Sequence, residues 1–242
     1  MNIKTPVNLF TTFSEAGYKQ YGKRWLDSVA QYWPDANVKI YTDFHLQVDP
    51  SIKVINFDEV FPDHSAFKTK VTNYYGHKLP KGPVIGNKTI KFSYKGFCIA
   101  NELLTNSSGI TVWTDADTQV LKPVDIDYTK LLKGTFLACQ VEKPSLANPH
   151  VESGILFFDS ANPDSKRFGK LLKDFYNTEK LFSIKKPYDG YIIGKILKSK
   201  NMNYIDLNEG LNVVTKRSTS DSTFLHPSLK KHFIHWIGNT KA

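Results

Sequence analysis

Apolar residues recur along this chain with two periods. Short runs at Val7–Thr11, Val38–Thr42, Ile52–Phe57 and Ile110–Trp113 predict strands, with two more near Phe136–Cys139 and Gly154–Phe158. Tyr18, Tyr21, Trp25, Val29 and Tyr32 recur at steps of three and four, with Lys19, Lys23 and Asp27 on other faces. That spacing predicts a helix over Tyr18–Trp33, stopped by Pro34. Further helices are predicted over Tyr94–Leu104, around Ser165–Tyr176 and around Asp189–Leu197. The strand–helix–strand order predicts an α/β fold with a mostly parallel central sheet flanked by helices. Residues 58–89 read as an irregular or partly helical insertion, where Phe61, Phe67, Tyr74 and Tyr75 sit among lysines and Gly82, Pro83 and Gly86 punctuate the end. With no internal repeat and no low-complexity linker, residues 1–242 read as one domain.

Composition narrows the function classes only a little. The 242 residues carry a formal net charge of +9, which favours anionic partners without choosing among them and equally describes a solvated, lysine-rich surface. Cys98 and Cys139 are far apart in apolar settings, and no zinc-type spacing accompanies them. Two buried free thiols suit a reducing compartment, although the sequence leaves one disulfide open. The segment Met1–Thr12 lacks the pattern of a signal peptide, and no apolar run reaches the length of a membrane span. A soluble, cytoplasmic protein is the expectation.

The most informative segment is the apolar run from Ile110 that ends in Asp115-Ala116-Asp117. A buried strand here delivers two carboxylates to its carboxyl end, where open α/β sheets bind ligands. Two close carboxylates stay ionised when a cation lies beside them, and hard divalent ions such as Mn²⁺ or Mg²⁺ prefer oxygen ligands and bridge to phosphates. The bare Asp-x-Asp pattern is weak: a second copy, Asp125-Ile126-Asp127, follows Lys122-Pro123-Val124 and reads as a solvated loop. The tail supplies complementary pieces. His235 offers an imidazole to a metal, Gly238 lets backbone approach a phosphate, and Lys241 can neutralise diphosphate charge. Alone, a histidine beside Trp236 is more often a packing residue, and terminal residues such as Lys241 are often disordered.

Together, Asp115-Ala116-Asp117 after an apolar strand and His235-x-x-Gly238-x-x-Lys241 near the end resemble the retaining GT-A glycosyltransferases that include glycogenin and bacterial lipopolysaccharide galactosyl- and glucosyltransferases. The resemblance runs from about Val7 to Lys241. Lys95 stands where these enzymes carry a basic residue near the donor, Glu152-Ser153-Gly154 resembles their sugar-lining strand, and Tyr188-Asp189-Gly190 their segment near the reacting carbon. The sequence departs from the family at Glu152 (commonly Asn), at Gly190 (commonly Gln) and after Lys241, where the usual Pro-Trp is absent. The resemblance implies a single GT-A (Rossmann-like) domain, a nucleotide-sugar donor, most often UDP-linked, and Mn²⁺ or Mg²⁺ held by Asp115, Asp117 and His235. Phe10, Thr11, Thr12 and Asp43 would hold the nucleoside, with Lys95, Asp115, Ala116, Gly238 and Lys241 also at the donor, and Asp189 and Glu152 as the catalytic carboxylates. Asp43 is equally readable as a strand-end turn residue. The acceptor stays open: a glycan, a lipid-linked sugar or a hydroxylated DNA base, the last suggested by the basic and aromatic residues of the insertion at about 62–95. Two other classes compete. A nucleotidyltransferase would normally carry a glycine-rich basic loop after its first strand, where this chain has only Gly17. A non-catalytic nucleic-acid- or glycan-binding protein would not explain a buried strand ending in Asp115 and Asp117.

Overall fold

A computed structural model describes residues 6–76, 82–142, 149–184, 187–209 and 226–235. In chain order they form β1 (Val7–Thr12), α1 (Glu15–Gly17), a π-helical turn (Tyr18–Gly22), α2 (Lys23–Tyr32), β2 (Asn37–Thr42), β3 (Lys53–Asn56), α3 (Phe57–Val60), α4 (His64–Gly76) and α5 (Gly82–Thr105). Then follow β4 (Ile110–Thr114), β5 (Thr118–Val120), α6 (Tyr128–Leu132), β6 (Leu137–Val141), β7 (Val151–Asp159), α7 (Pro163–Asn177), a 3₁₀ turn (Glu179–Ser183), α8 (Asp189–Ser199), β8 (Ile205–Asp206), α9 (Pro227–His232) and β9 (Phe233–His235). Seven strands make the central sheet in the order β3-β2-β1-β4-β7-β6-β8, and β5 pairs with β9 in a separate ribbon. β7 alone runs against its neighbours β4 and β6; the other pairs are parallel. The α/β class and mostly parallel sheet flanked by helices are as the sequence predicts.

The sheet is buried on both faces, as a parallel sheet must be when helices cover it. Along β7, Leu156 and Phe158 enter a core with α4, α5, α7 and α8, while Ile155 and Phe157 enter one with α2 and β9. Trp113 and Val112 divide the same way on β4. Each such fully buried large side chain contributes about 1.5–3 kcal/mol. Local signals set the ends of elements. Asn162 caps α7 by accepting from the Asp164 amide, with Pro163 in the first turn, and Asp127 caps α6 through the Lys130 amide. The second Asp-x-Asp is thus a capped surface turn: Asp125 is exposed and bonds Lys231 and His232.

The described part of the insertion is more helical than its composition suggests. His64, Phe67, Val71 and Tyr75 form the buried stripe of α4, and α5 begins at Gly82, well before the expected Tyr94. Gly86 marks a close helix contact: a Cβ there would sit 3.3 Å from Tyr75 Cβ. Phe67 and Tyr75 are therefore core residues and offer no aromatic face to a nucleic acid. Cys98 and Cys139 are free and buried. Among the described residues no helix is long and apolar enough to cross a membrane.

Candidate metal and donor site

Three strand junctions bring the carboxylates together. β4 ends at Thr114, opposite Ile155 of β7, and the Asp115 amide continues the ladder by donating to Gly154 O at 2.8 Å. The carboxyl end of β4 thus lies beside the amino end of β7, which carries Glu152 and Ser153. Asp117 directly precedes β5, and in the β5–β9 ribbon Thr118 pairs with His235. Ligand atoms of Asp115, Asp117 and His235 all lie within 4.8 Å of one another. The spacing in sequence exceeds a hundred residues; the ribbon closes it.

His235 Nε2 faces Asp117 Oδ1 at 3.1 Å and Asp115 Oδ2 at 3.6 Å, while Nδ1 faces Glu152 Oε1 at 3.3 Å. Burial pulls the imidazole pKa down, but Asp117, Glu152 and Asp115 outweigh it and push it up to about 10. The ring therefore sits where positive charge is favoured. Glu152 Oε1 also accepts from the Gly154 amide at 3.0 Å. Burial raises the Glu152 pKa, yet its bonds to His235 and Gly154 leave it below the usual carboxylate range. A Cβ on Gly154 would stand 2.4 Å from His235 Nδ1, so only glycine admits the ring here.

Lys95 fastens the other side. Its ammonium, 8% exposed in the side chain, reaches Asp115 Oδ1 at 2.7 Å and Asp189 Oδ2 at 2.5 Å, and donates to Ser153 Oγ at 3.0 Å. Burial lowers the Lys95 pKa, but the two carboxylates more than reverse this and keep it charged. Ser153 Oγ donates to Asp189 Oδ2 at 2.7 Å. Burial raises the Asp189 pKa and Lys95 outweighs it, so Asp189 stays ionised. For Asp115 burial wins over Lys95 and His235, and its pKa is raised. Trp113 Nε1 donates to Asp115 Oδ1 at 2.9 Å.

These groups line a cavity of 570 Å³. A second cavity of 360 Å³ adjoins it and contains Phe13, Asp43 and Tyr94; Thr12, Tyr21 and Lys91 line both. Gln20 and Tyr21 reach the larger cavity from the π-helical turn, a distortion that often accompanies functional sites. Of the residues singled out from the sequence, Thr12, Lys95, Asp115, Ala116, Asp117, Glu152, Asp189 and His235 line the larger lobe, and Asp43 the smaller. Phe10 and Thr11 do not line either: Phe10 packs edge-on against Trp113 and Thr11 is fully buried. Their apolar, strand-interior setting placed them in the sheet core. Gly238 and Lys241 lie outside the described residues. Tyr21, Phe92 and His150 were missed; Tyr21 read as an ordinary helix position, Phe92 fell in the insertion ahead of the expected helix at Tyr94, and His150 stands in no motif.

The donor set fits a divalent cation. Two carboxylates and an imidazole converge, the cavity carries four carboxylates (Asp115, Asp117, Glu152, Asp189) of which Asp115 and Asp189 pair with the Lys95 ammonium, and Glu152 orients the outer nitrogen of the histidine as carboxylates do behind metal-bound imidazoles.

No protein-family profile matches the chain, and no curated protein matches it by sequence. Its structure is similar to apo GlyE, a glycosyltransferase of Streptococcus pneumoniae, at 11% identity and a TM-score of 0.44, over 84% of this chain and 45% of that one. It is also similar to mouse xyloside xylosyltransferase 1 at 7% identity, TM-score 0.46, over 81% and 82% of the two chains. A third likeness is to the galactosyltransferase LgtC with donor and acceptor sugar analogs, at 12% identity, TM-score 0.43, over 78% and 70%. The chain spans less than half the length of GlyE. All three are glycosyltransferases, the group the sequence motifs resemble, and at these identities the likeness transfers no residue role, donor or acceptor.

Proposed function

We propose that this protein is a metal-dependent GT-A glycosyltransferase that moves a sugar from a nucleoside-diphosphate sugar, UDP-linked, to a hydroxyl acceptor, with retention. The observation that carries the reading is the convergence of Asp115, Asp117 and His235 at the wall of a cavity continuous with a second lobe holding Phe13 and Asp43. One lobe suits a metal–diphosphate and sugar, the other a nucleoside. When bound there, Mn²⁺ or Mg²⁺ supplies Lewis-acid stabilisation of the departing diphosphate.

The chain's own groups do the rest. Asp43 accepts hydrogen bonds from ribose or base at the lobe's exposed end. Tyr21, whose phenol is kept protonated by burial and by the charges of Asp117 and Asp115, donates at the junction of the lobes. Lys95 holds Asp189 and Asp115 in place and adds positive charge near the leaving group. Asp189 and Glu152 have depressed proton affinity, which makes them poor general bases for an acceptor hydroxyl. Retention rests on the family resemblance of the motifs: the leaving phosphate would take the acceptor proton, and the two carboxylates would position sugar hydroxyls and stabilise an oxocarbenium-like centre. Nucleotide release from a panel of UDP- and GDP-sugars tests the reading. Release from one donor with Mn²⁺, abolished by chelator, supports it; no turnover of any donor sinks it.

A further inference from the structure

The cavity face of α5 steps outward from its floor. Lys91 and Phe92 each lie three or four residues from both Lys88 and Lys95, so the four share one side of the helix. Lys95 is neutralised by Asp115 and Asp189. Lys91 and Lys88 are exposed, and neither is paired with a carboxylate among the described residues. Lys91 lines the cavity; the Lys88 ammonium stands 5.9 Å from the centroid of the Tyr188 ring. Tyr188 in turn packs on Phe92, with ring centroids 5.4 Å apart and planes at 53°. Both rings are half-buried and line the cavity mouth, and Tyr188 is adjacent to Asp189. Across the cavity, His150 is bonded to Glu142 at 2.7 Å, so that carboxylate is already engaged.

Half-exposed aromatic rings beside hydrogen-bonding carboxylates offer an apolar face to a sugar ring and polar partners to its hydroxyls. The two outer lysines add positive charge that no carboxylate among the described residues cancels. We propose that this mouth is the acceptor subsite and that it takes a pyranose bearing an anionic group, carboxylate or phosphate, with the ring against Phe92 and Tyr188 and the charge beside Lys88 and Lys91. The inference rests on the glycosyltransferase reading and names its acceptor class. A 570 Å³ concavity matches a mono- or disaccharide, whereas a duplex would need an open groove.

The test is a ligand-observed NMR titration of the full chain with p-nitrophenyl β-glucoside, the matching β-glucuronide and the matching 6-phosphate, with and without Mn²⁺ and UDP. The expected result is that the glucuronide, the phosphate or both bind about tenfold more tightly than the neutral glucoside, and that Lys88→Ala with Lys91→Ala reduces the preference to about twofold or less. The Lys88→Arg, Lys91→Arg variant should retain it, and the arm that binds identifies the anion. Equal binding of all three probes, or a preference untouched by the double alanine variant, overturns the proposal. So does displacement of the bound glucuronide by duplex DNA containing hydroxymethylcytosine but not by its sugar analogues. Because the preference needs neither metal nor nucleotide, a chain that shows it but fails to bind UDP overturns the donor reading alone. A chain that binds UDP without the preference overturns only the acceptor inference.

Discussion

Lys95 is the residue whose removal tests the electrostatics of the site most sharply. Lys95→Met keeps the length of the side chain and deletes an ammonium held between Asp115 and Asp189 in the interior. Removing one partner of a buried ion pair costs about 3–5 kcal/mol, because the remaining charges are left without compensation. For a chain of this size each kcal/mol is worth roughly 2–4 °C in Tm, which predicts a fall of about 6–20 °C near neutral pH. The pH dependence follows from the directions of the shifts. Lys95 has a raised pKa, so its contribution is fully present below its unfolded value of 10.5 and is lost only above that, as pH rises through its folded pKa. Asp189 has a lowered pKa, so its contribution is present above its unfolded value of 3.8 and is lost as pH falls through its folded pKa. Asp115, with a raised pKa, opposes them by losing stability as pH rises above 3.8. In Lys95→Met, Asp189 and Asp115 lose the ammonium that favours their ionised forms, so the variant weakens relative to the parent as pH rises. The gap between the two proteins should be wide at pH 7.5 and narrow towards pH 4.5. Thermal unfolding in EDTA at both pH values measures it, and Lys95→Met with Asp189→Asn should recover part of the loss. A Tm within 2 °C of the parent, or a gap independent of pH, would refute the assignment of Lys95 as the charge that holds this site; 2 °C corresponds to about 1 kcal/mol or less.

Other positions give independent checks. Gly154→Ala should drive His235 from its place and weaken Mn²⁺ affinity by about 10–100-fold in a calorimetric titration, with circular dichroism unchanged. Asp43→Ala should raise the donor KM about tenfold with little change in kcat, since the smaller lobe contributes binding shared by ground and transition states. Gly96→Ala tests the helix packing behind the site: a Cβ there would lie 2.1 Å from the Tyr176 ring, and the forced separation of α5 from α7 should cost about 1–3 kcal/mol in denaturant unfolding.

The strands were legible because they are buried on both faces and read as continuous apolar runs. β1, β2, β4 and β7 all fall where Val, Ile, Leu, Phe and Trp cluster. The short strands β5, β8 and β9 were not, since two or three residues carry no period. Yet β5 and β9 are what bring His235 to Asp117. The motif supplied the residues and the ribbon supplies the reason they meet. α4 was obscured by lysines, threonines and asparagine between its buried positions, although His64, Phe67, Val71 and Tyr75 keep helical spacing. The start of α5 was hidden by Gly82 and Gly86, which read as loop punctuation until Gly86 is seen against Tyr75. Lys95 was placed near the donor by resemblance alone; its twofold attachment to Asp115 and Asp189 belongs to the tertiary structure.

The central claim is that Asp115, Asp117 and His235 hold a divalent cation on which a nucleoside diphosphate is bound. Calorimetric titration of UDP into the chain with Mn²⁺, into the chain with EDTA, and into Asp117→Ala with Mn²⁺ tests it most directly. The account predicts one UDP site with Mn²⁺ and binding at least about tenfold weaker in the other two titrations. Equal affinity in all three, or no binding with Mn²⁺, would contradict it.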